Sequence, residues 1–210
     1  MKTINIEQNG NDWLVWRSSG LGASDAPAIL GISPWTTPLE LWKEKRTALV
    51  GNKARERTNK HRVPRETPAM ARGKRLEPEA RELLEALTGI QAQALCAVHD
   101  DLEWLKASLD GYDPALDLIL EIKCPNSGAH SKALSGSIPE YYWPQVVHQA
   151  LVVGGSGKVL YVSYSPDREF EGHERLAMVE AVVSLPERAI YQAAATEFWH
   201  SVLAGSPPQD

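Results

Sequence analysis

Asp110 precedes a glycine, and eleven residues further on Glu121 and Lys123 stand two apart within the short apolar run Leu118-Ile-Leu-Glu-Ile-Lys. Residues two apart on a β-strand project from one face, so a strand here sets the carboxylate beside the ammonium. With Leu105 to Ser108 as the neighbouring strand, Asp110 reaches the same spot across a hairpin. Two carboxylates and an ammonium at one point can hold a hard divalent cation and leave a positive group for a phosphate or a water. That is equipment for metal-assisted hydrolysis of a phosphodiester. A plainer reading competes with it: Asp-Gly is a common turn, and Glu-x-Lys on a strand face is often a solvated ion pair. Leu118, Ile119, Leu120 and Ile122 weigh against that reading. A strand apolar on both faces is buried, and charges there are costly unless they serve a purpose.

Positioning these groups takes a sheet with helices around it. Trp13, Trp16 and Arg17 have helical spacing, and Gly20-Leu-Gly-Ala interrupts it. Ser24 is then placed to cap a short helix from Ala26 to Leu30. Thr37-Pro38 opens a helix to about Arg46, and residues 50–66, with little apolar periodicity, read as a mobile loop. Thr67-Pro68 starts the longest helix, to about Thr88, with Gly89 as its stop. Its core stripe is Leu76, Ala80, Leu83, Leu84 and Leu87, and Glu77 lies beside that stripe. Strands are expected at 91–98, 104–108, 117–123, 158–164 and 176–183, with helices over 139–153 and 186–203. Helices, then consecutive strands, a crossover helix and further strands make an α/β fold with a central mixed sheet flanked by helices.

The 210 residues suit one such domain with a full core. No apolar run approaches a membrane span, and the N-terminus lacks a signal peptide's apolar core. Two cysteines, Cys96 and Cys124, form no zinc or disulfide pattern and read as buried thiols of a cytoplasmic protein. The net charge of −5 is unevenly spread: residues 43–75 hold twelve Lys or Arg against three Glu. Such a basic band on an acidic body can attract a phosphate backbone, although a solvated loop would look the same.

The D-x(n)-E-x-K order is shared by many metal-dependent nucleases, and further blocks accompany it in order. They are Arg17…Gly-Ala-Ser24-Asp25, Pro-Trp-Thr-Thr-Pro-Leu-Glu-Leu-Trp-Lys-Glu-Lys45, Gly73…Glu77-Pro, Ser108-Leu-Asp110-Gly, Leu-Glu121-Ile-Lys123-Cys-Pro and Tyr-Tyr-Trp-Pro-Gln145. In these blocks, from about Trp13 to Val162, the chain resembles the YqaJ-type viral recombinase family, the family of phage lambda exonuclease. That family lies within the PD-(D/E)XK nucleases, so the resemblance implies a restriction-endonuclease-like core and one exonuclease domain over residues 1–210. It implies Mg2+-dependent digestion of one strand of linear double-stranded DNA from the 5′ end, leaving 3′ overhangs for phage-type recombination by single-strand annealing.

Residue by residue, the resemblance makes Asp110 and Glu121 magnesium ligands, with the backbone carbonyl of Ile122 a third contact. Lys123 positions or deprotonates the attacking water, Glu77 orients a second metal ion through water, and Gln145 holds a metal-bound water or the substrate backbone. Arg17, Ser24 and Ser108 match a pocket for the 5′-phosphate, a guanidinium fork and two hydroxyls being suited to a terminal phosphate dianion. Two Mg2+ ions are implied, with Mn2+ as a substitute, together with a homotrimeric ring and a single-strand annealing protein as partner. Gln149, one turn after Gln145, and His148 read as helix-face polar residues, and His99 as a structural histidine. Two positions depart from the family pattern: Leu109 stands where a proline usually precedes the aspartate, and Val147 where many members carry a second glutamine. The alternatives are an endonuclease or junction resolvase on the same fold, and a non-catalytic DNA-binding module.

Overall fold

The computed structural model describes residues 1–55, 67–167 and 170–208, with residues 52–55 as backbone alone. In chain order the elements are β1 (Lys2–Ile4), α1 (Asn11–Ser18), β2 (Leu21–Gly22), α2 (Ala26–Ile29), α3 (Pro38–Arg55), α4 (Pro68–Thr88), β3 (Gln93–Val98), β4 (Leu105–Asp113) and β5 (Leu118–Lys123). They continue with α5 (Ser127–Leu134), α6 (Trp143–Val153), β6 (Lys158–Tyr164), β7 (Leu176–Val182) and α7 (Leu185–Ala204). One mixed sheet runs β1-β3-β4-β5-β6-β7, and β2 pairs with β4. β5 and β6 are parallel, joined by the crossover through α5 and α6, and β6 and β7 are antiparallel. This is the expected mixed sheet flanked by helices.

The two faces of β5 explain the layers. Ile119 packs with Val146, Ala150, Tyr191 and Trp199 of α6 and α7 on one face. Leu120 and Ile122 pack with Leu76, Ala80 and Leu84 of α4 on the other. The helix ends are set chemically. The Thr67 hydroxyl accepts from Met70 N at 3.2 Å, and Gly89 ends α4 with φ 71°. Ser184 and Glu187 cap each other's backbone at the start of α7. Pro78 inside α4 withholds the amide that would close the turn on Lys74.

Several sequence expectations are corrected. The 37–46 helix runs on to Arg55, so 50–55, expected as loop, are helical, and the remainder of the 50–66 segment lies outside the described residues. β1, β2 and α5 were not expected. Ser24 does not cap α2; it sits in a 3₁₀ turn over Ala23–Asp25, and α2 starts from Asp25 without a side-chain cap. Asp110-Gly111 is not the hairpin turn either. β4 runs through it to Asp113, and Asp117, with φ 48°, lies in the connection. Gly111 answers a different need. A Cβ there would lie 2.7 Å from Ala92 Cβ and 3.1 Å from Leu120 Cβ, so the glycine lets α4's flanking chain close on the sheet.

Candidate active site

A break in strand pairing builds the site. β3 occupies one edge of β4, pairing Val98 with Lys106 and Gln93 with Tyr112. On the other edge β2 pairs Gly22 with Lys106, and β5 pairs from Leu120–Gly111 to Leu118–Asp113. Between these two partners the edge of β4 from Ala107 to Asp110 is forked open. The Ile122 amide, which continued pairing would give to a β4 carbonyl, donates instead to Asp110 Oδ2 at 2.8 Å. Along β4, Leu105, Ala107 and Leu109 are fully buried, while Lys106, Ser108 and Asp110 alternate with them and line a cleft of about 220 Å³.

Strand alternation sets Glu121 and Lys123 on one face of β5, as expected, and they form an ion pair. Glu121 is 1% exposed. Its carboxylate also accepts from Gln145 Nε2 at 2.6 Å and Gln149 Nε2 at 2.5 Å, the two amides lying one turn apart on α6. Gln149, read from sequence as a helix-face polar residue, is thus fully buried against the site. Burial opposes the charge on Lys123, yet Glu121 and Asp110 outweigh it and hold the ammonium above its ordinary range. Its Nζ lies 5.6 Å over the Tyr142 ring.

Asp110 is half-buried, and burial followed by Glu121 pushes its carboxyl up to about 8 despite Lys123 and the Ile122 amide. Asp110 therefore has too little positive charge around it. A divalent cation would supply what is missing, and Asp110 and Glu121 are oxygen donors of the kind Mg2+ takes. Among the described residues no three His, Cys, Asp or Glu side chains make a metal cage. The remaining contacts would fall to backbone and water, which suits an ion that keeps several waters. Glu77 also lines the cleft, held by Arg81 Nη2 at 3.3 Å. The same nitrogen donates to the Asp110 carbonyl at 2.6 Å, tying α4 to β4. Arg81 was missed in the sequence, although its i+4 spacing from Glu77 was a usable signal.

The other end of the cleft is basic and aromatic. Arg17 donates to the Ser24 hydroxyl, and Trp13 Nε1 donates to Ser108 Oγ at 2.7 Å. Arg17, Ser24 and Ser108 line the same cleft as Asp110, Lys123, Glu77 and Gln145, while Glu121 lies buried behind it, bonded to Lys123 and Gln145. Asp25 is held charged: burial opposes this, but Lys45, at 2.5 Å, and Arg17 prevail. His99 lies apart, its Nδ1 accepting from the amides of Asp101 and Leu102. His148 is buried between Tyr191 OH at 2.7 Å and the Lys106 carbonyl at 2.8 Å, and burial lowers it to about 4, so it is a neutral structural residue. Part of the basic band is also structural. Lys45 pairs with Asp25, Arg46 donates to the Val202 and Leu203 carbonyls at the end of α7, and Arg72 pairs with Asp167.

Comparison with known proteins gives the family and agrees with the fold. The family model described as the YqaJ-like viral recombinase domain matches residues 12–156. An uncharacterized protein YqaJ of Bacillus subtilis (strain 168) is 28% identical over 159 residues, covering 75% of the chain and 46% of that protein. The chain thus spans about half the length of that curated relative. Among solved structures, LHK-Exo in complex with dAMP is similar with a TM-score of 0.78, 21% identity and 94% of both chains covered. The same exonuclease, described as an alkaline exonuclease from Laribacter hongkongensis, matches equally well at 20% identity. A phage-related exonuclease from Haemophilus somnus 129PT has a TM-score of 0.55 at 15% identity, covering 89% of this chain and 96% of that one.

Proposed function

The chain belongs to the YqaJ-like viral recombinase domain family, and from that membership together with the forked β4–β5 site we propose that it is a Mg2+-dependent 5′-to-3′ exonuclease. It digests one strand of linear double-stranded DNA and leaves 3′ overhangs for recombination by single-strand annealing. The observation that carries this reading is the under-neutralised Asp110 carboxylate beside Glu121 at the fork, with Lys123 next to them and a basic pocket at the far end of the same cleft.

Asp110, Glu121 and the Ile122 carbonyl would hold one ion, and Glu77 would orient a second through water. Bound Mg2+ supplies a Lewis acid for the scissile phosphate and lowers the pKa of its water, and Mn2+ does the same work. Lys123 aligns the attacking water and balances charge growing on the phosphate. Gln145 and Gln149 fix the Glu121 carboxylate, and Gln145 reaches the cleft to steady water or the DNA backbone. Arg17, Ser24 and Ser108 seat the terminal 5′-phosphate, so that the first diester lies over the carboxylates. The aligned groups supply mostly position and electrostatics, the two large terms in phosphoryl chemistry.

The test is digestion of linear duplex with 5′-phosphate or 5′-hydroxyl ends, beside a closed circle, with Mg2+ or EDTA. Loss of linear duplex only with Mg2+, faster from phosphate ends and with circles uncut, is expected. Cut circles would instead point to an endonuclease or resolvase, and inert linear DNA to a non-catalytic DNA-binding module.

We further propose one nuclease domain over residues 1–210 that acts in the cytoplasm as a homotrimeric ring beside an annealing protein. No helix among the described residues is long and apolar enough to cross a membrane. Self-association is supported by Val182, Leu185 and Ile190, apolar residues 64%, 73% and 72% exposed at the junction of edge strand β7 and α7. Sedimentation velocity is expected to give a trimer of the 23.2 kDa chain, and a monomer at micromolar concentration removes the ring.

A further inference from the structure

Lys106 is a buried cation that the reaction just described does not use. It is 6% exposed, yet it lines the cleft on the same face of β4 as Ser108 and Asp110. Among the described residues its Nζ is held by neutral acceptors, the Trp16 carbonyl at 2.7 Å and Ser19 Oγ at 2.5 Å, and lies 5.2 Å over the Trp16 ring. None of the ion pairs among the described residues includes it, and the nearby Asp25 is committed to Lys45. A buried ammonium without a carboxylate is costly, and an anion entering the cleft would offset that cost.

The fold takes care to keep it there. β2 and β3 flank Lys106 on both edges, and His148 donates to its carbonyl. Gly20 makes room for the stem, since a Cβ at Gly20 would lie 3.0 Å from Lys106 Cε and 2.3 Å from the Trp104 carbonyl. Burial, then the neighbouring Lys45, pull its pKa to about 8, with Glu103 only partly opposing them. A proton on Lys106 is therefore held loosely until a negative partner arrives.

We infer that Lys106 is a specificity-determining residue of the end pocket, its ammonium joining Arg17 to bind a terminal phosphomonoester and so select a phosphorylated DNA end over an internal diester. The charge arithmetic favours that occupant. A terminal phosphate carries about −1.5 to −2 at neutral pH and a diester −1, so a second cation adds more to the end than to the chain interior. This inference rests on the reading of the chain as an end-dependent nuclease.

The test compares kcat/KM on linear duplexes with 5′-phosphate and 5′-hydroxyl ends for wild type, Lys106→Met and Lys106→Arg. Lys106→Met is expected to lose about tenfold of the preference for phosphate, and Lys106→Arg to keep most of it. A preference unchanged in Lys106→Met overturns the inference while leaving the nuclease intact. Wild type that digests both ends equally overturns the end pocket itself, and wild type that digests neither overturns the nuclease reading. A second measurement needs no variant: the Lys106 ammonium ¹⁵N resonance is expected to shift with a 5′-phosphorylated dinucleotide and not with its 5′-hydroxyl form. A resonance indifferent to both removes Lys106 from the pocket even if Lys106→Met does not fold.

Discussion

Asp110→Asn is expected to slow digestion of linear duplex by a factor on the order of 10³ while making the metal-free protein more stable at pH 8. The two effects share one cause. Burial and Glu121 raise the Asp110 carboxyl from 3.8 to about 8. A folded-state value above the unfolded one favours the protonated protein, so the stability from this group is full below about pH 4 and lost as pH rises to about 8. Ionised Asp110 is thus a strain that the active site keeps for its chemistry. Asparagine can still accept the Ile122 amide and carries no charge, so it removes the strain and the metal ligand together. Thermal unfolding at pH 8 with EDTA should show Asp110→Asn melting at least about 3 °C above wild type, roughly 1 kcal/mol for a chain of this length. Added Mg2+ should raise the wild-type transition and leave the variant's unmoved. If the variant melts below wild type and responds to Mg2+, Asp110 is neither strained nor a ligand.

How far the sequence anticipates this site depends on the range of the interaction. β5 and the shared face of Glu121 and Lys123 follow from strand alternation, and α4 from its end signals, Thr67-Pro68 and Gly89. The fork is not legible that way. Asp110-Gly111 looks like a turn locally, and only the close approach of Ala92 and Leu120 explains a glycine within a continuing strand. Likewise nothing local to Lys45, Arg46 or Arg72 reveals partners at Asp25, Val202 and Asp167, so the sequence alone does not divide the basic band between internal partners and DNA. Gln149 reads as a helix-face polar residue for the same reason, and Lys106 carries no signal at all. A polar residue on a helix or strand reads as solvated until the partner that buries it is known.

Glu121→Ala should abolish digestion as fully as Asp110→Asn and yet move stability the other way. Glu121 is almost wholly buried, and three donors converge on it from two elements: Lys123 on its own strand, and Gln145 and Gln149 on α6. Removing the carboxylate leaves an ammonium and two amides facing a cavity. Breaking a buried pair in this manner costs about 3–5 kcal/mol, because the remaining charge keeps its desolvation penalty and loses its partner. For a chain of this size that is a fall in Tm of about 10 °C. Added Mg2+ cannot recover it, since the alanine offers no oxygen. Glu121→Gln separates the two roles. It fills the same volume and keeps one acceptor for Lys123, so the loss of stability should be smaller, while the missing charge still removes the ligand and the activity. Differential scanning calorimetry of the three proteins at pH 7, beside turnover on linear duplex, reads both quantities. Glu121→Ala melting at the wild-type temperature would mean that α6 is not locked to β5 through this carboxylate. Were Asp110→Asn and Glu121→Ala to shift stability in the same direction, the two carboxylates could not hold the opposed positions assigned to them, one strained by its neighbours and the other saturated by donors.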